Sequence, residues 1–165
     1  ICGIECARYA VLAGNFLDAT SAKALGLLTN LVDPSDVEVT VAAIASEGKP
    51  DEKYPSEPTD SDHPVVAFAT SFYSGNNMSS LLSGNIPDGF DAEDKMVSRQ
   101  LKSLSRTAPI ALSMASNLLD VATRTDLDSG LESELNGLHE IFGTTDALEG
   151  LSALIEGRRP EYSGA

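Results

Sequence analysis

Short runs of helical periodicity, each opened by a capping residue or a proline and several closed by glycine, are what most restricts the fold of this chain. The first run repeats Ile4, Ala7, Val11 and Leu12, with Tyr9 and Ala10 on its flanks, and closes at Gly14. In NFLDATSAKALGLLTNLVDP a second short helix starts where Asp18 or Thr20 can cap the free amides, and Gly26 can end it. LLTNLV, stopped by Asp33-Pro34, reads as an extended edge segment. Pro34 in a first helical turn, with Asp36 and Glu38 at the positive end of the dipole, predicts a third helix to about Ser46.

From Glu47 to His63 the sequence EGKPDEKYPSEPTDSDH is charged, proline-rich and almost without apolar residues, which marks a loop or linker. PVVAFATSFYSG fits a strand or a helix; interleaved Ala and Ser favour the helix. NNMSSLLSGNIPDG carries a short helix between turn signals. Helical signals then persist to the end of the chain. They run from Asp91 to Thr107, from Pro109 to about Thr123, from Gly130 to Phe142 under Asp126 or Asp128, and from Asp146 to Glu156 under Thr144 or Thr145. These four closing helices are expected to form an antiparallel, partly interlocked set rather than a βαβ series. The chain has no internal repeat.

The 165 residues, 42% of them hydrophobic, suffice for one modest domain or a piece of one. The start at Ile1, already inside a periodic helix with no cap before it, reads as a cut edge with more protein upstream. No stretch resembles a signal peptide or a membrane span, so the expected location is the cytoplasm, with neither membrane nor nucleic acid as partner. The charge is lopsided, 25 acidic against 11 basic residues, for a net −14. Such a surface repels phosphate and anionic lipid, and at low ionic strength it repels itself. It suggests adaptation to high salt; an ordinary acidic protein is the alternative.

Cys2 and Cys6, four residues apart, share one helix face, but no Cys or His partner is near, and His63 and His139 lack ligand spacing. Buried thiols in a reducing compartment are the expectation, and no metal site. Glu132 and Glu134 point in different directions on one helix, unsuited to paired acid and base work. His139, between Leu138 and Ile141, has no orienting partner and reads as a half-buried structural residue, while His63 before Pro64 reads as solvated. The chain contains no GxGxxG, GxxxxGK[ST] or GxSxG. No catalytic residue is therefore assigned. A helical region without reactive groups more often completes a site than contains one.

Three ordered stretches resemble the second half of the crotonase, or enoyl-CoA hydratase, superfamily. The first is GIECARYAVLAGNFLDATSAKALGLLTNLVDP, through Leu12, Gly14, Asp18, Ala19, Ala22, Gly26, Leu27 and Leu28. The second is LKSLSRTAPIALSMASNLL, through Pro109, Ala111 and Leu112. The third is the tail IFGTTDALEGLSALIEGRRPEYSG, through Phe142, Thr145, Asp146, Glu149, Gly150, Leu151, Ala153, Arg158, Arg159 and Tyr162. The stretch from Gly48 to Asp91 is similar to the longer form in archaeal proteins that fuse a 3-hydroxyacyl-CoA dehydrogenase to a hydratase.

The resemblance implies a mainly α chain, the C-terminal helical part of a crotonase (ClpP/crotonase-like) fold with at most short strands. It divides into 1–47 as the end of the crotonase core, 48–90 as an insertion, and 91–165 as a helical region for oligomerisation and pocket closure. It implies an enoyl-CoA hydratase of fatty acid β-oxidation, with acyl-CoA as substrate and NAD only in a fused dehydrogenase. Another crotonase reaction, thioester hydrolysis or isomerisation, and a non-catalytic assembly module are the alternatives. The family's two oxyanion amides and two catalytic acids would precede Ile1, so the piece alone would not hydrate a substrate. Arg158 and Arg159 then have two readings. They complement the negative end of a helix closed by Gly157 and Pro160, or with Phe142 they reach CoA, guanidinium forks suiting phosphate oxygens. The lysine common after the Glu in many hydratases corresponds to Gly157 here.

Self-repulsion yields a first prediction. The Debye length falls from about 10 Å at 0.1 M to about 3 Å at 1 M salt, so thermal melts should show a higher midpoint in molar salt; an unchanged midpoint contradicts salt adaptation.

Overall fold

The computed structural model describes residues 2–14, 16–47 and 57–165. Ile1, Asn15 and most of the predicted linker, 48–56, lie outside the described residues. The described chain is mainly α-helical: α1 (Ile4–Leu12), α2 (Ala19–Ala24), α3 (Val37–Glu47), α4 (Pro64–Phe72), α5 (Met78–Leu82), α6 (Lys95–Leu104), α7 (Pro109–Ala122), α8 (Leu127–Phe142) and α9 (Thr145–Glu156), with 3₁₀ turns at Pro34–Asp36 and Gly75–Asn77. No strand forms among the described residues.

The helix boundaries follow local chemistry. Asp18 accepts from the Ser21 amide at 2.7 Å, Asp94 from Met96 and Val97, Asp126 from Ser129, and Thr144 from Ala147. Each satisfies amides that have no partner within their helix. At the end of α2, the Gly26 amide donates to the Lys23 carbonyl and Leu27 to Ala22, with Gly26 at φ 82°. This is the paired closure that a left-handed glycine permits. Two expectations are corrected. LLTNLV runs irregularly instead of extending along a sheet edge, because no described strand offers it a ladder; the Thr29 carbonyl instead accepts from Lys23 Nζ at 2.6 Å. His63 is half-buried rather than solvated: its Nδ1 accepts from the Val65 amide at 3.3 Å and caps α4.

Helix α4 lies at the centre of the core. It packs against α1 and α2, burying Val66, Ala69 and Phe72. Phe72 stacks on Phe68 at 4.9 Å and meets the edges of Tyr73 and Phe90, while Tyr9 of α1 meets Phe68 and Tyr73 edge-on. The region read as an insertion thus supplies a helix with three buried core residues. After the undescribed stretch, the Thr59 and Asp60 amides donate to the Ala24 carbonyl at the end of α2. Cys2 and Cys6 are buried and unpaired, and burial pushes the Cys6 thiol up to about 11.

A buried polar network fixes how α1, α4 and α7 meet. Arg8 of α1 donates to Asp120 of α7 at 2.7 Å and to the Tyr73 carbonyl at the end of α4 at 3.1 Å. Tyr73 in turn donates to Gln100 of α6 at 3.0 Å, and Ser103 donates to the Ala13 carbonyl.

The closing helices depart from the expected interlocked set. Helix α6 packs against α5, and α7 against α1, α5 and α8. Helix α8 touches α7 where Gly137 leaves room for Met114 and Leu118. Neither α3 nor α8 buries a residue fully. The apolar face of α8, with Leu127, Leu131, Leu135, Leu138 and Phe142, faces solvent, so amphipathic periodicity there records an apolar face without a partner among the described residues.

The network yields a second prediction. Replacing Asp120 with Ala leaves the Arg8 guanidinium buried without its counter-charge and should cost about 2 kcal/mol in urea denaturation. Arg8→Met should cost less, because the carboxylate it abandons is 38% exposed and rehydrates.

Candidate functional site

The tail beyond α9 folds back along that helix. Gly157 takes φ 69°, ψ 24°, so that its own amide donates to Leu154 and the Arg158 amide to the Ala153 carbonyl. This left-handed closure reverses the chain and aims it at the first turns of α9.

Two acidic residues one turn apart receive the returning strand. Glu149 accepts a two-pronged fork from Arg158, Nη1 at 2.5 Å and Nη2 at 2.8 Å, and the Glu161 amide at 2.7 Å. Arg158 Nε also reaches Glu156 at 2.5 Å. Asp146, 2% exposed, accepts the Ser163 amide at 2.7 Å and the Gly164 amide at 2.9 Å. The Asp146 amide returns a bond to the Ala165 carbonyl at 3.1 Å. The exchange satisfies tail amides that no strand or helix would serve. Gly150 matters for a steric reason: a Cβ there would stand 3.2 Å from the Tyr162 hydroxyl, so its absence lets the ring lie against α9.

Arg158 holds the Glu149 carboxyl down to about 2, from an ordinary 4.5, with the Glu161 amide assisting. The same contact raises the Arg158 guanidinium.

The clasp seats the tail against the start of α7. Gly164 comes within van der Waals reach of Pro109, counted from where its Cβ would stand. A groove of about 430 Å³ opens there, lined by Ser105, Arg106, Thr107 and Pro109 on one side and by Arg159 and Tyr162 on the other.

The residues singled out by sequence are thus separated. Arg158 is committed to the Glu149 and Glu156 carboxylates; Arg159 lines the groove. Phe142, 68% exposed at the end of α8, lines a different depression with Leu135, Leu138 and His139. His139 is exposed, not half-buried, because the α8 surface around it is uncovered. Glu132 and Glu134 are both exposed. Arg106 was missed. Its only signal was a place two residues before Ala108-Pro109, a helix start whose first turn has no side-chain cap. Among the described residues no three His, Cys, Asp or Glu side chains gather as metal ligands, and no helix is long and apolar enough to cross a membrane.

Comparison with known proteins adds one relative. The chain is 34% identical over 74 residues, 45% of its length, to a protein of Arabidopsis thaliana described as probable enoyl-CoA hydratase 2, mitochondrial. The match spans about a quarter of that relative, 24% of its length. It supports a relationship of the crotonase type. No family profile and no solved structure matches the chain.

The clasp yields a third prediction. A carboxyl whose folded value is depressed stabilises above its unfolded value, and that contribution fades as pH falls from 4.5 towards about 2. The Glu161 amide resonance should therefore hold its bonded position through pH 4 and move only in stronger acid. Glu149→Gln should give several-fold faster amide exchange at Glu161 at neutral pH while the α4 amides stay protected.

Proposed function

We propose that this chain is the C-terminal helical part of an acyl-CoA enzyme of fatty acid β-oxidation, an enoyl-CoA hydratase in the cytoplasm. The observation that carries this reading is the partial identity to an enoyl-CoA hydratase. The ordered motifs at both ends and near Pro109 support it. In the complete protein, water adds reversibly and syn across the double bond of a trans-2-enoyl-CoA, the hydroxyl going to C3 and the proton to C2. The two amides that hold the thioester oxygen and the two acids that act on water and C2 precede Ile1. A 3-hydroxyacyl-CoA dehydrogenase using NAD is fused upstream, as the longer middle region suggests.

In this reading the chain's own residues shape the substrate end of the enzyme. Arg159 presents to the phosphates of CoA a guanidinium with no hydrogen-bond or ion-pair partner among the described residues. Arg158 contributes by holding the tail that carries Arg159. Phe142 offers an exposed ring to the ligand from a separate depression.

The uncovered leucines favour a second, compatible role in assembly. On α9, Leu148, Leu151, Leu154 and Ile155 are exposed beside the apolar face of α8. Apolar faces of this extent mark contact surfaces. They suit packing against the upstream crotonase core and a homo-oligomer through the closing helices.

A fourth prediction tests the reading. The 165-residue chain should hydrate crotonyl-CoA no faster than buffer, whereas the intact natural protein should remove enoyl absorbance in proportion to enzyme. In that protein Arg159→Gln should raise KM about tenfold for the full CoA substrate, the loss of a charge-assisted bond, and leave a pantetheine thioester unaffected. An intact protein that leaves crotonyl-CoA unchanged overturns the hydratase assignment.

A further inference from the structure

Charge is unevenly spread along this chain, and one stretch departs from the rest. Residues 88–106 hold four acidic and four basic residues, so the remainder of the chain carries the whole net −14. Within the stretch the signs are sorted. Asp88, Asp91, Glu93 and Asp94 precede α6, while Lys95, Arg99, Lys102 and Arg106 run along it and just past its end. The cations fall at intervals of four, three and four, which is one face of a helix. That face, with Ser98 and Ser105, is exposed, opposite the buried Val97, Gln100 and Leu104.

All eight charged residues are exposed, and none makes an ion pair among the described residues, where Arg8 and Arg158 do. The arrangement is unfavourable to α6 alone. Like charges three and four residues apart repel along a helix, and Lys95 stands at the positive end of the dipole. Turns hold the acidic end in place: Asp91 accepts the Glu93 amide at 2.9 Å, its carbonyl accepts the Asp94 amide at 3.1 Å, and Asp94 caps α6. These carboxylates therefore stay in front of the helix, and the cations further along it go unmatched.

We propose that residues 88–106 form a self-complementary surface through which two copies of this chain pair, their strips antiparallel about a twofold axis. The surface is separate from the apolar faces of α8 and α9 and does not depend on the acyl-CoA reading. In a twofold contact each patch meets its own image, so a strip with acids at one end and bases at the other presents opposite charges along the whole contact. Parallel packing would set like on like. Antiparallel packing also opposes the two helix dipoles. Two bodies of net −14 repel over most of their surfaces, and this strip is where they can approach with no net local charge. Helix α6, of ten residues, is about 15 Å long. A membrane or a nucleic acid extends beyond that length and would meet the acids in front of Lys95, whereas a second copy ends its own basic face where those acids stand. Single exposed ion pairs contribute little, but the twofold repeats every contact, and a reversed charge sets like against like twice.

Sedimentation velocity of the 165-residue chain in about 0.15 M salt tests the proposal. One variant carries Arg99→Glu with Lys102→Glu, a second Asp88→Lys with Glu93→Lys; both keep the Asp91 turn and the Asp94 cap. Concentration-dependent association of the native chain is expected, weaker by about tenfold or more in either variant alone. Mixing the two variants in equal amounts should restore it, since each then supplies the sign that the other lacks, and misfolding of either could not produce that restoration. The same pattern is expected in a background of Leu131→Asp and Leu154→Asp, which removes association through the exposed faces of α8 and α9. A native chain that stays monomeric, variants that associate as it does, or a mixture that stays apart overturns the proposal. Binding of the monomer to phosphatidylserine vesicles, lost with Arg99→Glu and Lys102→Glu, overturns it in favour of a membrane.

Discussion

A buried arginine, 7% exposed, is the constraint on which the helical packing depends. Arg8 cannot be buried without acceptors, because a charge removed from water must recover its interactions inside the protein. Asp120 from α7 supplies one on one side, and the Tyr73 carbonyl at the end of α4 another on the other. Its Nε finds no hydrogen-bond partner, so the residue is held by two anchors and not three. The register of α1 against both neighbours follows from those two bonds. Apolar contacts alone, being non-directional, would tolerate sliding. Tyr73 extends the constraint, since its carbonyl serves Arg8 and its hydroxyl serves Gln100, which brings α6 into the same frame.

From that frame the putting-together of the groove is a matter of succession along the chain. Placing α6 and α7 fixes the turn between them, and with it Arg106 and Pro109. Helix α8 hangs on α7 through the space left by Gly137, and α9 contacts α8. Among the described residues neither outer helix has a second layer above it. The tail restores some of what is missing by doubling back to Pro109, so α9 is tied to the start of α7 through the non-helical residues that follow it as well as to α8.

Local chemistry was legible in the sequence, and tertiary partnership was not. Asp18, Asp126 and Thr144 cap the helices expected of them, and Gly26 and Gly157 close theirs, because these effects depend on neighbours within a few residues. LLTNLV fails for the opposite reason: β-branched residues favour extension only where a second strand supplies hydrogen bonds. His139 shows the same limit, since a periodic apolar face says that a helix wants a partner and not that it has one. The basic pair at 158 and 159 was visible, but its division of labour was not. Which arginine turns to a carboxylate depends on Glu149 nine residues back, and on a chain reversal that brings it within reach. Arg106 gave no sign beyond its place before a helix start, because a groove shared by a loop and a returning tail leaves no spacing to read.

The acidity itself has a structural share that composition conceals. A chain cut into many short helices exposes many N-termini, each with amides that lack partners and with the positive end of a dipole. Asp18, Asp94 and Asp126 answer that demand directly, and hydrogen bonds from the Ser21 and Ser129 amides hold the Asp18 and Asp126 carboxyls below the usual range. Asp146 and Glu149 extend the same use from helix ends to a tail whose amides would otherwise depend on water. Carboxylates so engaged differ from those that merely face solvent. Their charge is neutralised in part by oriented N–H dipoles, so they add less to the self-repulsion than a count of acids implies. Salt should therefore act chiefly on the remaining acids, those on exposed faces such as Glu132 and Glu134 of α8. The caps and the clasp should yield only in strong acid, because their carboxyls are held below the usual range, and protonation there removes an acceptor as well as a charge.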